Sequence, residues 1–222
     1  MTPPLRTPTA TAMALRTALI LLIFVVAFTS LLAAAYLWTL PAVEEAAAAE
    51  KMKLISEVLP RDLYDNDLLA DSRRLEPAAG LGLDEESTAY LARQGGQASA
   101  IVFEAVAADG YSGRIRLLLA VAADGTLLGV RVTQHKETPG LGDYIEPRKD
   151  RNKDRPWIRQ FDGLSLATVG EREWRVRKDG GRFDSLAGAT VTPRAVIKAV
   201  HRALQYVAEN RQRLFTVGGS GK

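Results

Sequence analysis

The run Asp184-Ser185-Leu186-Ala187-Gly188-Ala189-Thr190-Val191-Thr192-Pro193 sets a tight glycine turn against the start of an amphipathic helix, and this junction decides how the C-terminal part of the chain folds. Thr192 has the side chain of an N-cap. Pro193 suits a first helical position, where its missing N–H costs nothing. Beyond it Val196, Ala199, Val200, Ala203, Leu204 and Val207 recur at helical spacing, with Arg194, Lys198, Arg202 and Glu209 mostly on the other side. The N-terminus of such a helix carries unpaired N–H groups and the positive end of the dipole, which favour an anion beside Thr190. Gly188 removes side-chain bulk where such a group approaches. The same residues, read locally, also describe a plain turn and cap.

About fifty residues upstream stands His135-Lys136-Glu137-Thr138-Pro139-Gly140-Leu141-Gly142. Pro139-Gly140 predicts the centre of a type II turn, proline setting φ and glycine supplying φ > 0 at the next position. Such a turn is expected to bare backbone N–H groups. A polar loop leaving a strand is the alternative reading for Glu137, and a lone histidine such as His135 is more often a satisfied residue than a catalyst.

The two segments carry a resemblance. Asp184-x-x-Ala187-Gly188-Ala189-Thr190-x-Thr192 is similar to the flavinylation sequence of the FMN-binding domain in the G subunit of Rnf electron-transport complexes and the C subunit of sodium-pumping NADH:quinone reductases, and His135 to Gly142 resembles the Rnf G-subunit signature. The resemblance covers roughly Gln97 to Phe215. It implies covalent FMN joined by a phosphoester to Thr190, not to Thr192, with Asp184, Gly188, Ala189 and Thr192 in the sequence that a flavin transferase reads when it moves FMN from FAD. It also implies that Glu137, Thr138, Gly140, Leu141 and Gly142 lie against the cofactor, backbone approaching closely at the glycines and Glu137 accepting a ring or ribityl hydrogen. Ala187 replaces the Ser or Thr frequent in the family, keeping small size and losing a hydroxyl. The chain would then be an electron-transfer subunit of an ion-translocating ferredoxin:NAD oxidoreductase, partnered by other membrane and redox subunits and not catalytic alone. The C subunit of the sodium-pumping reductase and a cofactor-free, membrane-anchored interaction or assembly module remain as alternatives; the motif form and modest length favour Rnf.

The 222 residues suffice for one core and an anchor. From Thr17 to Val43 no residue is charged, long enough to cross a hydrocarbon layer of about 30 Å. Tyr36 and Trp38 fall where an interfacial aromatic belt is expected, and Pro41 is expected to close the helix. A cleaved signal peptide competes, with Ala33-Ala34-Ala35 as small residues for cleavage, but the charge-free run exceeds the usual signal core of about 7–15 residues. Arg6 and Arg16 precede the span and Glu44, Glu45 and Glu50 follow it, which predicts a cytoplasmic N-terminus, an inner-membrane span in the bilayer and a periplasmic domain.

Composition excludes several classes. There is no cysteine, hence no thiolate-held cluster or Cys-based zinc site, and His135 and His201 alone make a histidine-rich metal site an unpromising reading. Twenty-nine basic residues against 26 acidic give +3; without Arg6 and Arg16 the balance is +1, which does not point to nucleic acid. The densest charge cluster, Arg148 to Arg155, mixes signs and reads as a solvated loop, with a docking surface for an acidic partner as the minority reading.

The expected architecture is α+β: residues 1–16 cytoplasmic, a single transmembrane helix over 17–42, a connecting helix and linker over 43–96, an FMN-binding domain over 97–215 with an antiparallel sheet and packed helices, and a flexible tail over 216–222. The connecting helix is Ala/Glu-rich and ends before Pro60, whereas Arg61 to Gly96 is polar and yields no assignment. Ile101, Phe103 and Ala105 alternate, as do Ile115, Leu117, Leu119 and Val121, then Leu128, Val130 and Val132. Asp109-Gly110 and Asp124-Gly125 are hairpin turn signals between them, so the meander's third strand runs straight into the His135 loop. Trp157 to Phe161 reads as a short helix or turn and Trp174-Arg175-Val176 as a strand. Trp157, Phe161 and Trp174 are ring-packing candidates, though core is the commoner role, as it is for Leu186.

Overall fold

A computed structural model describes residues 9–216. Residues 1–8, with Arg6 and half of the expected cytoplasmic segment, and residues 217–222 lie outside the described residues. The chain divides into two units, Met1–Glu50 and Lys51–Lys222.

Helix α1 runs over Ala10–Ser56, with Pro41 inside it. The expected stop at Pro41 and the separate connecting helix are therefore corrected to one continuous element. Proline removes a single helical hydrogen bond, and the Ala/Glu-rich turns beyond it are strong enough helix formers to continue. No residue of the apolar stretch of α1 is buried, and the helix is long and apolar enough to cross a membrane.

In the second unit five strands form one antiparallel sheet in sequence order: β1 (Ser72–Leu75), β2 (Ser87–Gln94), β3 (Gln97–Gly110), β4 (Gly113–Ala122) and β5 (Leu127–Gln134). The first two come from the stretch that yielded no assignment. Strand β1 has one buried side chain, Leu75, beside Arg73 and Arg74, as an edge strand blunted by charge does. On β2 the side chains of Ala89, Leu91 and Ala92 are all buried, so no alternation marks it.

The sheet is covered on both faces. One face meets helix α2 (Val191–Glu209), whose Val196, Val200, Ala203, Leu204 and Val207 pack with Phe103, Leu117, Leu119 and Val130. The other is covered by Ile55, Val58, Leu59 and Leu68 over Ala92, Ala100, Val102 and Ala120. Small residues let this segment approach: a Cβ on Gly129 would lie 2.8 Å from the Val58 carbonyl oxygen. A short helix, α3 (Arg211–Phe215), ends the described fold.

Three local readings need correction. The β3–β4 turn is Tyr111-Ser112 between paired Gly110 and Gly113, so Asp109-Gly110 ends a strand instead of centring the turn. A bulge between Ala120 and Val121 pairs Val121 with Leu127, so Leu127 joins Val130 and Val132 on the α2 face while Leu128 turns to the other. Trp174 to Val176 is no strand: Val176 makes one bridge to Phe183, because the segment folds on itself through Arg182 N–H to Glu173 O and Phe183 N–H to Arg175 O. The Asp124-Gly125 turn stands, with Gly125 at φ 93° and Asp124 Oδ1 accepting the Thr126 N–H. Trp157–Phe161 is a 3-10 helix.

Candidate functional site

Strand β5 ends at Gln134 and delivers the chain into the His135 loop. His135 Nδ1 accepts the Glu137 N–H at 3.0 Å, which places the ring proton on Nε2, 3.4 Å from Glu146 Oε2. Burial pushes the Glu146 carboxyl up, but hydrogen bonds from Lys149 and His135 outweigh it and hold the group below its ordinary value. The histidine thus fixes the loop's entry. The expected type II turn is present: Gly140 has φ 76° and the Leu141 N–H reaches Thr138 O. Its N–H groups, however, are not bare. Gly142 also donates to Thr138 O and Gly140 donates to Asp143 Oδ1, so the turn closes on itself.

Glu137 sits deeper than a surface acceptor would, 4% exposed. Its Oε1 accepts the Ser112 N–H at 3.0 Å, and its Oε2 accepts the Thr192 hydroxyl at 2.5 Å. Two glycines make room for the carboxylate. A Cβ on Gly142 would lie 2.8 Å from both Glu137 Oε2 and Thr192 Oγ1, and one on Gly110 would lie 2.9 Å from Glu137 Oε1. One buried carboxylate therefore ties the β3–β4 turn, the motif loop and the start of α2 together. Both carboxylate oxygens hold protein donors, so Glu137 acts as a bracket between the three segments.

That bracket separates the two threonines. Thr192 is 1% exposed and spends its hydroxyl on Glu137. The helix begins at Val191, with Thr190 in the cap position at φ −88°, ψ −23°. Thr192 and Pro193 therefore lie inside the first turn, a correction to the expected cap whose cause is the competing pull of Glu137. Thr190 makes no side-chain cap in that helical geometry, and its half-buried hydroxyl has no partner among the described residues. The N–H groups of Val191 and Thr192 likewise find no protein acceptor among the described residues. Gly188, at φ 86°, takes a conformation that suits glycine and has nothing within 4 Å of where a Cβ would project. Ala189 is buried beneath the turn and its N–H closes on Leu186 O.

The glycine turn is pinned to the motif loop from the other side. Trp157 Nε1 donates to Asp184 O at 2.6 Å, Gln160 Oε1 accepts the Asp184 N–H at 2.8 Å, and Tyr144 Oη accepts the Leu186 N–H. Burial pushes the Tyr144 phenol up to about 12. The Asp184 carboxylate stays exposed and pairs with Arg177 at 3.0 Å. Trp157, Phe161, Trp174 and Phe183 form a buried aromatic chain, so the three ring-packing candidates are core.

Between the loops opens a cavity of about 590 Å³ lined by Gly140, Tyr144, Leu186 and a basic rim. Of that rim Lys149 pairs with Glu146 and Arg177 with Asp184, while Arg151, Arg155 and Arg182 have no ion-pair partner among the described residues. The Arg148 to Arg155 loop is pinned by Asp150, which accepts the Trp157 and Asn152 N–H groups. Among the described residues no cluster of His, Cys, Asp and Glu could hold a metal.

All ten predicted site residues gather here, but in different roles. Glu137, Gly142 and Thr192 build the bracket, with Thr138 closing the motif turn; Asp184, Gly188, Ala189 and Thr190 shape the accessible turn; Gly140 lines the cavity and Leu141 faces solvent. Sequence reasoning missed Ser112, Gly110 and Tyr144. Only Gly110 left a signal, as half of a turn dipeptide.

A family profile described as the FMN-binding domain matches residues 110–205, from the end of β3 into α2. The chain is 48% identical over 200 residues to the G subunit of the ion-translocating oxidoreductase complex of Pseudomonas aeruginosa (strain UCBPP-PA14), covering 90% of this chain and 91% of that one. It is 43% identical over 196 residues to the corresponding G subunit of Vibrio atlanticus, covering 88% and 91%, and 41% identical over 192 residues to that of Shewanella loihica, covering 86% and 88%.

Proposed function

The chain belongs to the G-subunit family of ion-translocating oxidoreductase complexes, and on that premise we propose that it carries its FMN through a phosphoester on Thr190. It is a membrane electron-transfer flavoprotein subunit of the Rnf complex. The observation that carries the attachment reading is the contrast between two threonines separated by one residue. Thr192 is buried and committed to Glu137; the Thr190 hydroxyl is uncommitted and accessible.

The surrounding residues fit a phosphoryl group. Gly188 leaves open space on the approach side, and the first N–H groups of α2 point positive charge at that place. In maturation the Thr190 Oγ1–phosphorus bond forms as the phosphoanhydride of FAD breaks; AMP leaves and the hydroxyl proton passes to base. A flavin transferase performs this step, reading the exposed Asp184 and the turn after it. FMN, once bound, supplies the capacity to take up and pass on electrons. The chain's own residues hold the cofactor: the Glu137 bracket fixes the turn, and Arg151, Arg155 and Arg182 set a positive field nearby.

Residues 17–42 span the inner membrane with the N-terminus cytoplasmic and residues 97–215, the FMN-binding domain, periplasmic; Arg16 before the span and Glu44, Glu45 and Glu50 after it support this. In the assembled complex, ferredoxin:NAD oxidoreduction is coupled to ion movement, with neighbouring subunits as donor and acceptor. Co-expression with a flavin transferase, followed by intact mass and in-gel fluorescence of the denatured full chain, tests the attachment. One FMN phosphoryl adduct per chain is expected, and an unmodified chain beside a labelled control flavoprotein would overturn it.

A further inference from the structure

The cavity beside the glycine turn carries more positive charge than its own acids answer. Five cations line it: Lys149, Arg151, Arg155, Arg177 and Arg182. Of its three carboxylates, Asp143 and Asp150 are buried and engaged by the N–H groups of Gly140, Asn152 and Trp157, and Asp184 is taken by Arg177. Lys149 pairs with Glu146, so Arg151, Arg155 and Arg182 remain exposed and without an ion-pair partner among the described residues. A merely solvated loop would let such charges drift. This one is fixed from beneath: Asp150 ties residue 152 to residue 157, and Asn152 Oδ1 accepts the Arg155 N–H at 3.0 Å. Across the opening, Arg177 Nε donates to Arg182 O at 3.3 Å. Three unanswered arginines therefore stand on fixed backbone round one opening.

We propose that this rim is the docking surface for the flavin transferase, an acidic face of the enzyme meeting Arg151, Arg155 and Arg182 while its active site reaches Thr190. This rests on the Thr190 reading. Reach favours that occupant. Asp184, Ser185 and Leu186 line the cavity, and the Leu186 and Thr190 Cα atoms, four residues apart, are separated by at most about 14 Å. A standard interface covers about 800 Å² on each partner, a disc of about 16 Å radius. An enzyme closed over Thr190 thus also covers Leu186 and the cavity it lines. The character of the surface points the same way. A subunit held permanently in the complex would cover apolar surface, and none of the exposed large hydrophobic side chains among the described residues lines this cavity. Unanswered charge suits an encounter that ends in release, because it raises the rate of association more than the strength of the final complex. The transferase meets each chain once and leaves.

The test uses the full chain in detergent, purified unmodified from cells without the enzyme, then mixed with purified flavin transferase and FAD. Initial rates of flavinylation are read by in-gel fluorescence and intact mass against chain concentration. Absence of adduct on wild type fails the Thr190 reading and with it this one. With adduct present, Arg151→Glu combined with Arg155→Glu is expected to raise the half-saturating chain concentration about tenfold, more than it changes the plateau rate, with Arg151→Lys combined with Arg155→Lys close to wild type. Rates of wild type below saturation should fall steeply between about 0.05 and 0.3 M salt, and those of the glutamate variant should not. Arg74→Glu, on the sheet's opposite edge, should match wild type throughout. A half-saturating concentration unchanged in the glutamate variant, or a salt dependence equal to wild type, would overturn the docking surface. So would a rise in the half-saturating concentration of FAD in place of that of the chain, which would mark the cavity as a nucleotide site.

Discussion

Thr192→Val is the most informative single change to the scaffold, because it keeps side-chain volume and deletes one hydroxyl. That hydroxyl donates to Glu137 Oε2 at 2.5 Å, and with Thr192 1% and Glu137 4% exposed no solvent takes its place. Leaving a buried acceptor short of its donor costs about 1–3 kcal/mol, so a loss of about 2 kcal/mol is expected. At about 2–4 °C per kcal/mol for a domain of this size, the melting midpoint falls by about 4–8 °C. Gly142→Ala attacks the same contact from the other side, since its methyl would sit 2.8 Å from both oxygens and overpacking of that kind costs about 1–3 kcal/mol. Both changes break one bracket, so the double variant should fall short of the sum by about 1 kcal/mol. Thermal unfolding of the solubilised chain by circular dichroism reads all four proteins, and intact mass should show flavin on each, because neither change touches Thr190. A Thr192→Val midpoint equal to wild type, or strictly additive losses, would refute the bracket.

Gly188 holds φ 86° in open space, so Gly188→Val is expected to lower the midpoint through backbone strain of about 1–2 kcal/mol and to slow flavinylation, with Gly188→Asn milder; melting curves and adduct time courses check both. Gly129→Ala forces a methyl to within 2.8 Å of the Val58 carbonyl oxygen, and limited proteolysis should then cut the 55–69 segment sooner than in wild type. Burial, opposed more weakly by Glu171, holds His201 below its ordinary value, so the unfolded chain binds more protons and stability rises with pH. The stabilising share is present above about pH 6.5 and lost as pH falls through the lowered value; His201→Leu should flatten that part of the midpoint-against-pH curve.

What could be read from the sequence was local. Strands β3 to β5 announced themselves through alternation and the Asp124-Gly125 turn, α2 through helical spacing, and the Gly140 turn through its proline–glycine pair. Strands β1 and β2 did not, because one is a charged edge and the other is buried on both faces, and neither situation leaves a period-two signature. Pro41 misled because a punctuation rule that holds for short helices competes with strong formers on both sides. The role of Glu137 was out of reach for another reason: its partners lie 25 and 55 residues away, and nothing in a loop carboxylate's neighbours reveals that it is buried. The same pairing explains why Thr192, a good cap by type, gave up capping. Thr190 is proposed as the attachment residue through resemblance, and the fold supplies a physical reason to prefer it to its neighbour.

The most direct test compares wild type, Thr190→Val and Thr192→Val, each co-expressed as the full chain with a flavin transferase and examined by in-gel flavin fluorescence and intact mass after denaturation. The account predicts an FMN phosphoryl adduct on wild type and Thr192→Val and none on Thr190→Val. An adduct that persists in Thr190→Val and disappears in Thr192→Val would contradict it.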